Sequence, residues 1–143
     1  VMNNSLVCVD ASIIVDLLTH LGDDPHLQAL WEEWLERGVQ LVAPHLLPYE
    51  VTNVLYKKAR RGEMSYEAAL DTLQTLVGLP IALHSNPILH SQALQIAQEL
   101  SLGATYDPHY LALAAQLGCE FWTRNGKLFR AAREKYDLVR LLG

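Results

Sequence analysis

Cysteine, basic charge and long apolar runs are all scarce in this 143-residue chain, and each shortage removes a class of protein. Cys8 and Cys119 are the only cysteines and both sit inside apolar segments. They read as buried thiols rather than a disulfide or a metal clip. Eleven Lys and Arg stand against 16 Asp and Glu, a formal net charge of -5, which argues against a surface coated with phosphate contacts. A local basic patch remains open. No apolar stretch approaches the ~20 residues of a membrane span, and the N-terminal residues lack a secretory pattern, so a cytoplasmic protein without membrane association is expected. The six histidines show neither HxxxH nor HExxH, which removes the usual zinc spacings.

What is present is core material. Half the residues are hydrophobic and 19% are charged, enough for one compact domain over 1–143. Short β-rich runs alternate with longer helical patterns. "LVCV" (Leu6 to Val9) reads as a strand, followed by a helix from Ala11 to about Leu21. "DDPHLQALWEEWLERG" has Asp24 as cap, Pro25 at the first helical position and Gly38 as the stop. "VQLVA" is a second strand, "LLPYEVTNVLYKKARRG" a helix opened by Pro48 and closed by Gly62, and "SYEAALDTLQTLVG" a helix capped by Ser65. "PIAL" is a weak third strand. "NPILHSQALQIAQELSLG" and "DPHYLALAAQLG" each open on a capping residue plus proline and close on glycine. "CEFWT", "KLFRAAREK" and "LVRLL" follow as strand, helix and strand. Strands separated by helices predict βαβ units: an α/β domain with a mainly parallel sheet of four to five short strands and helices on both faces.

In such folds ligands bind beyond the carboxyl ends of the strands. Asp10 stands there, at the junction of the first strand and first helix. Glu50 and Asp107 also sit at helix starts. Acids belong at helix N-termini for purely structural reasons, worth roughly 0.3 to 2 kcal/mol each, and Asp107 before Pro108 has the form of a good cap. Glu50, however, lacks the Ser or Thr partner of a capping box, and Asp10 has a second oxygen nearby in Ser12. If the three converge they need a cation, because two like charges ~4 Å apart at an effective dielectric near 20 repel by about 4 kcal/mol. Oxygen-only ligands point to Mg²⁺ or Mn²⁺.

The segments "VCVDASIIVDLL", "LLPYEVTNVLYKKARRG", "ATYDPHYLALAAQLG" and "FWTRNGKLF" resemble, in order and over essentially the whole chain, the motifs of PIN-domain nucleases, particularly the VapC toxins of toxin–antitoxin pairs. The resemblance implies a metal-dependent endoribonuclease that hydrolyses RNA phosphodiesters, with Asp10, Glu50 and Asp107 as metal ligands. It implies also a homodimer paired with a small antitoxin. Ser12 and Thr123 would orient ligands or waters behind the acids. The family's fourth acid falls two residues after Thr123, where this sequence has Asn125. One negative charge is therefore missing, and a two-metal arrangement becomes harder to populate. "RNG" is also an ordinary turn.

Among basic residues, Lys57, Lys58, Arg60 and Arg61 read first as complement to a helix C-terminus. Lys57 lies seven residues beyond Glu50 on roughly the same face, and Arg124 and Lys127 flank Asn125; these three are the candidate RNA-backbone contacts. Trp31, Trp34 and Leu35 form a stripe that reads as core packing, with a docking surface as the alternative. Two further functions are weighed: a PIN-domain protein whose catalysis is weakened or lost at Asn125 and that binds RNA or a partner, and an unrelated α/β domain whose acids are only caps. Against the latter, a D-x-D phosphatase pattern fails at Ser12 and no Walker-type loop exists.

Overall fold

The computed structural model describes residues 2–143. Strands are separated by one or two helices: β1 (Leu6–Val9), α1 (Ala11–Thr19), a 3₁₀ turn (Leu21–Asp23), α2 (Pro25–Arg37), β2 (Gln40–Pro44), α3 (Leu47–Arg60), α4 (Tyr66–Val77), β3 (Ala82–His84), α5 (Ile88–Glu99), α6 (Tyr106–Leu117), β4 (Glu120–Thr123), α7 (Gly126–Ala132) and β5 (Val139–Leu141). The strands form one all-parallel sheet in the order β3-β2-β1-β4-β5. β1 is central, with Cys8 in register with Val42 of β2 and Phe121 of β4. Val7, Cys8 and Val9 are all 0% exposed. Consecutive side chains on a strand point to opposite faces, so both faces of the sheet centre are covered, which is why the run carries no polar alternation.

Local chemistry places the helices. Asp24 caps α2 by accepting from the amides of His26 and Leu27, Pro25 opens it, and Gly38 ends it at φ 64°, a left-handed backbone that suits glycine. Ser65 accepts from the Ala68 amide to start α4. α6 packs along β1, β2 and β4, with Tyr110 stacked on Phe121 of β4 at 5.8 Å between ring centroids, and α5 packs on α6. Trp34 is buried and meets Trp31 and Trp122 edge-on, whereas Leu35 is 61% exposed, so the tryptophans belong to the packed side and Leu35 to the surface. Cys8 and Cys119 are buried free thiols.

Several boundaries differ from the sequence expectation, among them α5, which ends at Glu99 ahead of Gly103, and α7, which spans Gly126–Ala132. The first helix ends at Thr19 and yields to the 3₁₀ turn. β3 starts two residues into "PIAL" and ends one residue past it, as a three-residue edge strand, Ala82–His84. α6 begins at Tyr106, so Asp107 lies inside its first turn and is not the cap; the residue before the helix is Thr105, whose side chain makes no capping bond. Among the described residues, no helix is long and apolar enough to cross a membrane.

Candidate active site

From β1 the chain runs to β2 on one side, while β4 lies on the other. The order reverses between β1 and β4, and the crevice beyond their carboxyl ends is where a doubly wound sheet opens a ligand site. Asp10 leaves β1 there. Its Oδ1 accepts from the Ile13 amide at 2.9 Å as the cap of α1, and its Oδ2 accepts from Thr123 Oγ1 at 2.7 Å and the Arg124 amide at 3.3 Å. Asp10 is 8% exposed and Thr123 0%, so the bond crosses a dry junction between the two central strands. Burial pushes the Asp10 carboxyl above its usual range; the three hydrogen bonds pull the other way without overcoming it, and Asp107 adds repulsion.

Glu50 occupies the first turn of α3, a helix with no side-chain cap. Its carboxyl is also pushed up, by burial first and then by Asp107 and Asp10. The Tyr110 hydroxyl faces Glu50 and opposes that shift, yet it is buried and makes no hydrogen bond within 3.5 Å. Asp107 is raised by burial and eased by Asn125. Asn125 serves two neighbours at once: Oδ1 accepts from the Leu128 amide at 3.1 Å, capping α7, and Nδ2 donates to Asp107 Oδ2 at 3.2 Å. Its backbone amide donates to Thr123 Oγ1 at 3.0 Å. Thr123 therefore links Asp10 to the turn that carries Asn125.

Asp10, Ser12, Glu50, Asp107 and Asn125 line a single cleft of about 340 Å³. Thr123 stands behind it, and Lys127 lines the adjoining hollow together with Glu50, Asp107 and Asn125. Lys57 is exposed two turns along α3 and is not among the residues that line the cleft. Arg124 is a correction. Its Nη2 lies 2.6 Å from Asp24 Oδ2 and its Nε 2.8 Å from Asp16 Oδ2, so the guanidinium is committed to two carboxylates rather than free for a phosphate. At Asn125 the oxygen is taken by the Leu128 amide, and the amide NH₂ faces the cleft and Asp107.

Sequence reasoning missed Tyr110, Asn53, Asp16 and Asp24. Asn53 and Tyr110 sit three residues after Glu50 and Asp107, a spacing that shares a helix face and was the available signal. Asp16 and Asp24 meet Arg124 only through the fold.

The donor set has the character of a hard-cation site: carboxylates whose ionised forms are disfavoured by burial and by one another, with the one arginine in the cleft already paired. Yet among the described residues no three His, Cys, Asp or Glu side chains stand close enough to ligate a common ion. The acids share the cleft without being drawn together, and rotation of their side chains would have to close the set.

Residues 7–134 match the model of the PIN domain family. Exonuclease VapC9 of Pyrobaculum aerophilum is 28% identical over 134 residues, which span 94% of this chain and 91% of that protein. The crystal structure of PAE2754 from Pyrobaculum aerophilum superposes with a TM-score of 0.64 at 26% identity, over 87% of this chain and 83% of that one. A chain of a toxin–antitoxin complex from Klebsiella pneumoniae superposes with a TM-score of 0.66 at 21% identity, over 96% and 98% of the two chains, a likeness of fold.

Proposed function

The chain belongs to the PIN domain family, and on that premise we propose that it is a Mg²⁺- or Mn²⁺-dependent nuclease hydrolysing RNA phosphodiesters within the strand, the toxin of a toxin–antitoxin pair. In this reading it is a cytoplasmic homodimer restrained by a small cognate antitoxin. The observation that carries the reading is the cleft at the strand-order reversal: three acids from three helix starts, each made reluctant to ionise, with no unpaired cationic side chain among the residues lining it. The name of one relative, an exonuclease, supports phosphodiester hydrolysis but not attack within the strand, and the toxin–antitoxin assembly of one structural neighbour supports the paired-toxin part.

Asp10, Glu50 and Asp107 would hold the ion. A divalent ion bound there supplies Lewis-acid polarisation of a phosphate oxygen and acidifies a bound water. The chain's own residues do the rest. Asp10 is fixed by two amides and a hydroxyl, so its position costs little reorganisation. Glu50, half-buried beside two other acids, is destabilised as a carboxylate in the ion-free cleft, so a cation that offsets the neighbouring charge favours its ionised, ligating form. Tyr110 offers its unpaired hydroxyl to the same carboxylate. Lys127 at the rim is placed for the phosphate backbone. No side-chain nucleophile is needed.

Incubation of labelled linear and circular RNAs with the protein in Mg²⁺, Mn²⁺ or EDTA tests this. Cleavage that is lost in EDTA and in Asp10→Ala supports the reading, and opening of the circle establishes attack within the strand. Cleavage that persists in EDTA overturns it. The second reading, a PIN domain with weakened catalysis that binds RNA or a partner, is favoured by Asn125, whose oxygen faces the Leu128 amide instead of the cleft; binding without cleavage would select it.

A further inference from the structure

A second hollow lies along the same edge of the sheet, at the carboxyl ends of β2 and β3, with a volume of about 420 Å³. That is in the ~300–1,000 Å³ range of small-ligand pockets. Its floor is apolar, built on Pro44, Leu46 and the buried Leu89. No Asp, Glu, Lys or Arg lines it, although the neighbouring cleft is strongly acidic. Its lining offers no carboxylate, ammonium or guanidinium to pair with a charged occupant. Two tyrosines stand on its walls with their rings in solvent, Tyr49 at 71% and Tyr106 at 60% exposure. Each is the immediate chain neighbour of a site acid, Tyr49 of Glu50 and Tyr106 of Asp107, and Tyr106 also lines the hollow that contains both acids.

The polar groups around this floor are imidazole, hydroxyl and amide hydrogen-bonding edges. His109 Nδ1 lies 2.6 Å from the Thr105 carbonyl oxygen and its Nε2 lies 2.9 Å from His90 Nδ1. A carbonyl only accepts, so neutral His109 carries its proton on Nδ1 and accepts at Nε2 from the His90 Nδ1–H. That leaves His90 Nε2 with a lone pair. Asn86 anchors its oxygen on the Ile88 amide at 3.1 Å, which fixes the side chain at the rim. A metal role for the four histidines here fails, since among the described residues no three ligating side chains gather.

Exposed aromatic faces over an apolar floor, a rim of donors and acceptors without carboxylate, ammonium or guanidinium, and a wall at Tyr106 shared with the hollow that holds Glu50 and Asp107 describe the complement of one chemical group. We propose that this hollow is a nucleobase subsite: one unstacked base of a single-stranded RNA lies against Tyr49 and Tyr106 while its phosphate lies at the acids. It rests on the nuclease reading and adds to it a reason for preferring unpaired substrate, because a base in a duplex cannot leave its stack to enter.

The test uses the intact protein and fluorescein-labelled single-stranded hexamers of rA, rC and rU, with a labelled RNA duplex as reference, all by anisotropy in Ca²⁺, so that the charge of the carboxylates beside the phosphate is offset. Loss of one base–aromatic stack lowers affinity by roughly 5- to 150-fold. The Tyr49→Ala/Tyr106→Ala variant is expected to bind hexamers within that range of weakening, with duplex binding unaltered, and the Tyr49→Phe/Tyr106→Phe variant is expected to restore hexamer affinity. Both rings are exposed, and thermal melting verifies that the variants fold. Equal hexamer affinity of the native and alanine proteins overturns the subsite, as does a native protein that fails to bind hexamers. Cleavage by native protein and Asp10→Ala, measured in parallel, judges the nuclease reading separately.

Discussion

Replacing Asn125 by Asp changes one atom pair in the cleft and reverses its sign. The Nδ2 that donates to Asp107 Oδ2 at 3.2 Å becomes an oxygen facing a carboxylate. Two unit charges ~4 Å apart at an effective dielectric near 20 repel by about 4 kcal/mol. Asn125 is exposed and Asp107 only partly buried, so solvent screening reduces that to about 1–2 kcal/mol. Loss of the amide–carboxylate hydrogen bond adds about 1 kcal/mol, while the cap on Leu128 survives because Asp caps as well as Asn. The ion-free variant is therefore expected to be about 2–3 kcal/mol less stable than the native protein, a fall in Tm of about 5–10 °C for a chain of this size. A divalent ion turns the same charge from cost to ligand, so the variant gains more Tm from Mg²⁺ and cleaves faster than the native protein. Thermal melts in EDTA and in millimolar Mg²⁺ read both effects. Equal melting of the two proteins in EDTA would show that positions 107 and 125 are not in contact, and an equal Mg²⁺ response would show that position 125 does not face the ion.

Three further outcomes follow from the same geometry. Because Glu50 holds its proton more tightly folded than unfolded, its contribution to stability is fully present below the unfolded pKa of about 4.3 and is lost as pH rises through the folded value. Glu50→Gln should thus melt above the native protein near neutral pH in EDTA and alike near pH 4, while losing at least ~100-fold in cleavage; a variant that melts lower at neutral pH refutes the assigned cost. Thr123→Val removes the hydroxyl that donates to Asp10 at 2.7 Å and accepts from the Asn125 amide, costing about 1–3 kcal/mol by denaturant titration. It should also raise the acidic limb of the pH–rate profile, since a bond that stabilises ionised Asp10 is gone. Arg124→Ala should lower stability by about 1–3 kcal/mol with little change in the salt dependence of RNA binding, whereas Lys127→Ala should flatten that dependence with stability intact; the reverse pattern would return Arg124 to the phosphate contacts.

The alternation of β1, α1, β2 and α3 was legible because each element carries its own punctuation: Asp24 and Pro25 before α2, Gly38 after it, Ser65 before α4. The placement of Asp10, Glu50 and Asp107 on one rim followed from that alternation, since parallel strands put successive helix starts at one edge. What sequence could not give was the meeting of residues far apart along the chain. Arg124 reads as a free cation beside a turn, and only the fold brings Asp16 and Asp24 to it. Asn125 reads as a ligand or a turn residue, and only the position of Leu128 and Asp107 decides which end of its amide faces the cleft. Asp107 reads as a cap because Asp-Pro usually is one, and the extra helical residue at Tyr106 instead turns its carboxylate toward the site.

The bond from Thr123 to Asp10 joins residues 113 positions apart, and that span has a consequence for biosynthesis. Until the ribosome has made β4, β1 has β2 on one side and nothing on the other, and Asp10 lacks the hydroxyl and the amide that hold its Oδ2. The rim closes only when the segment from Glu120 to Asn125 has been made and can pair beside β1. A chain stopped before that segment lacks the groups that hold Asp10 and therefore its finished cleft.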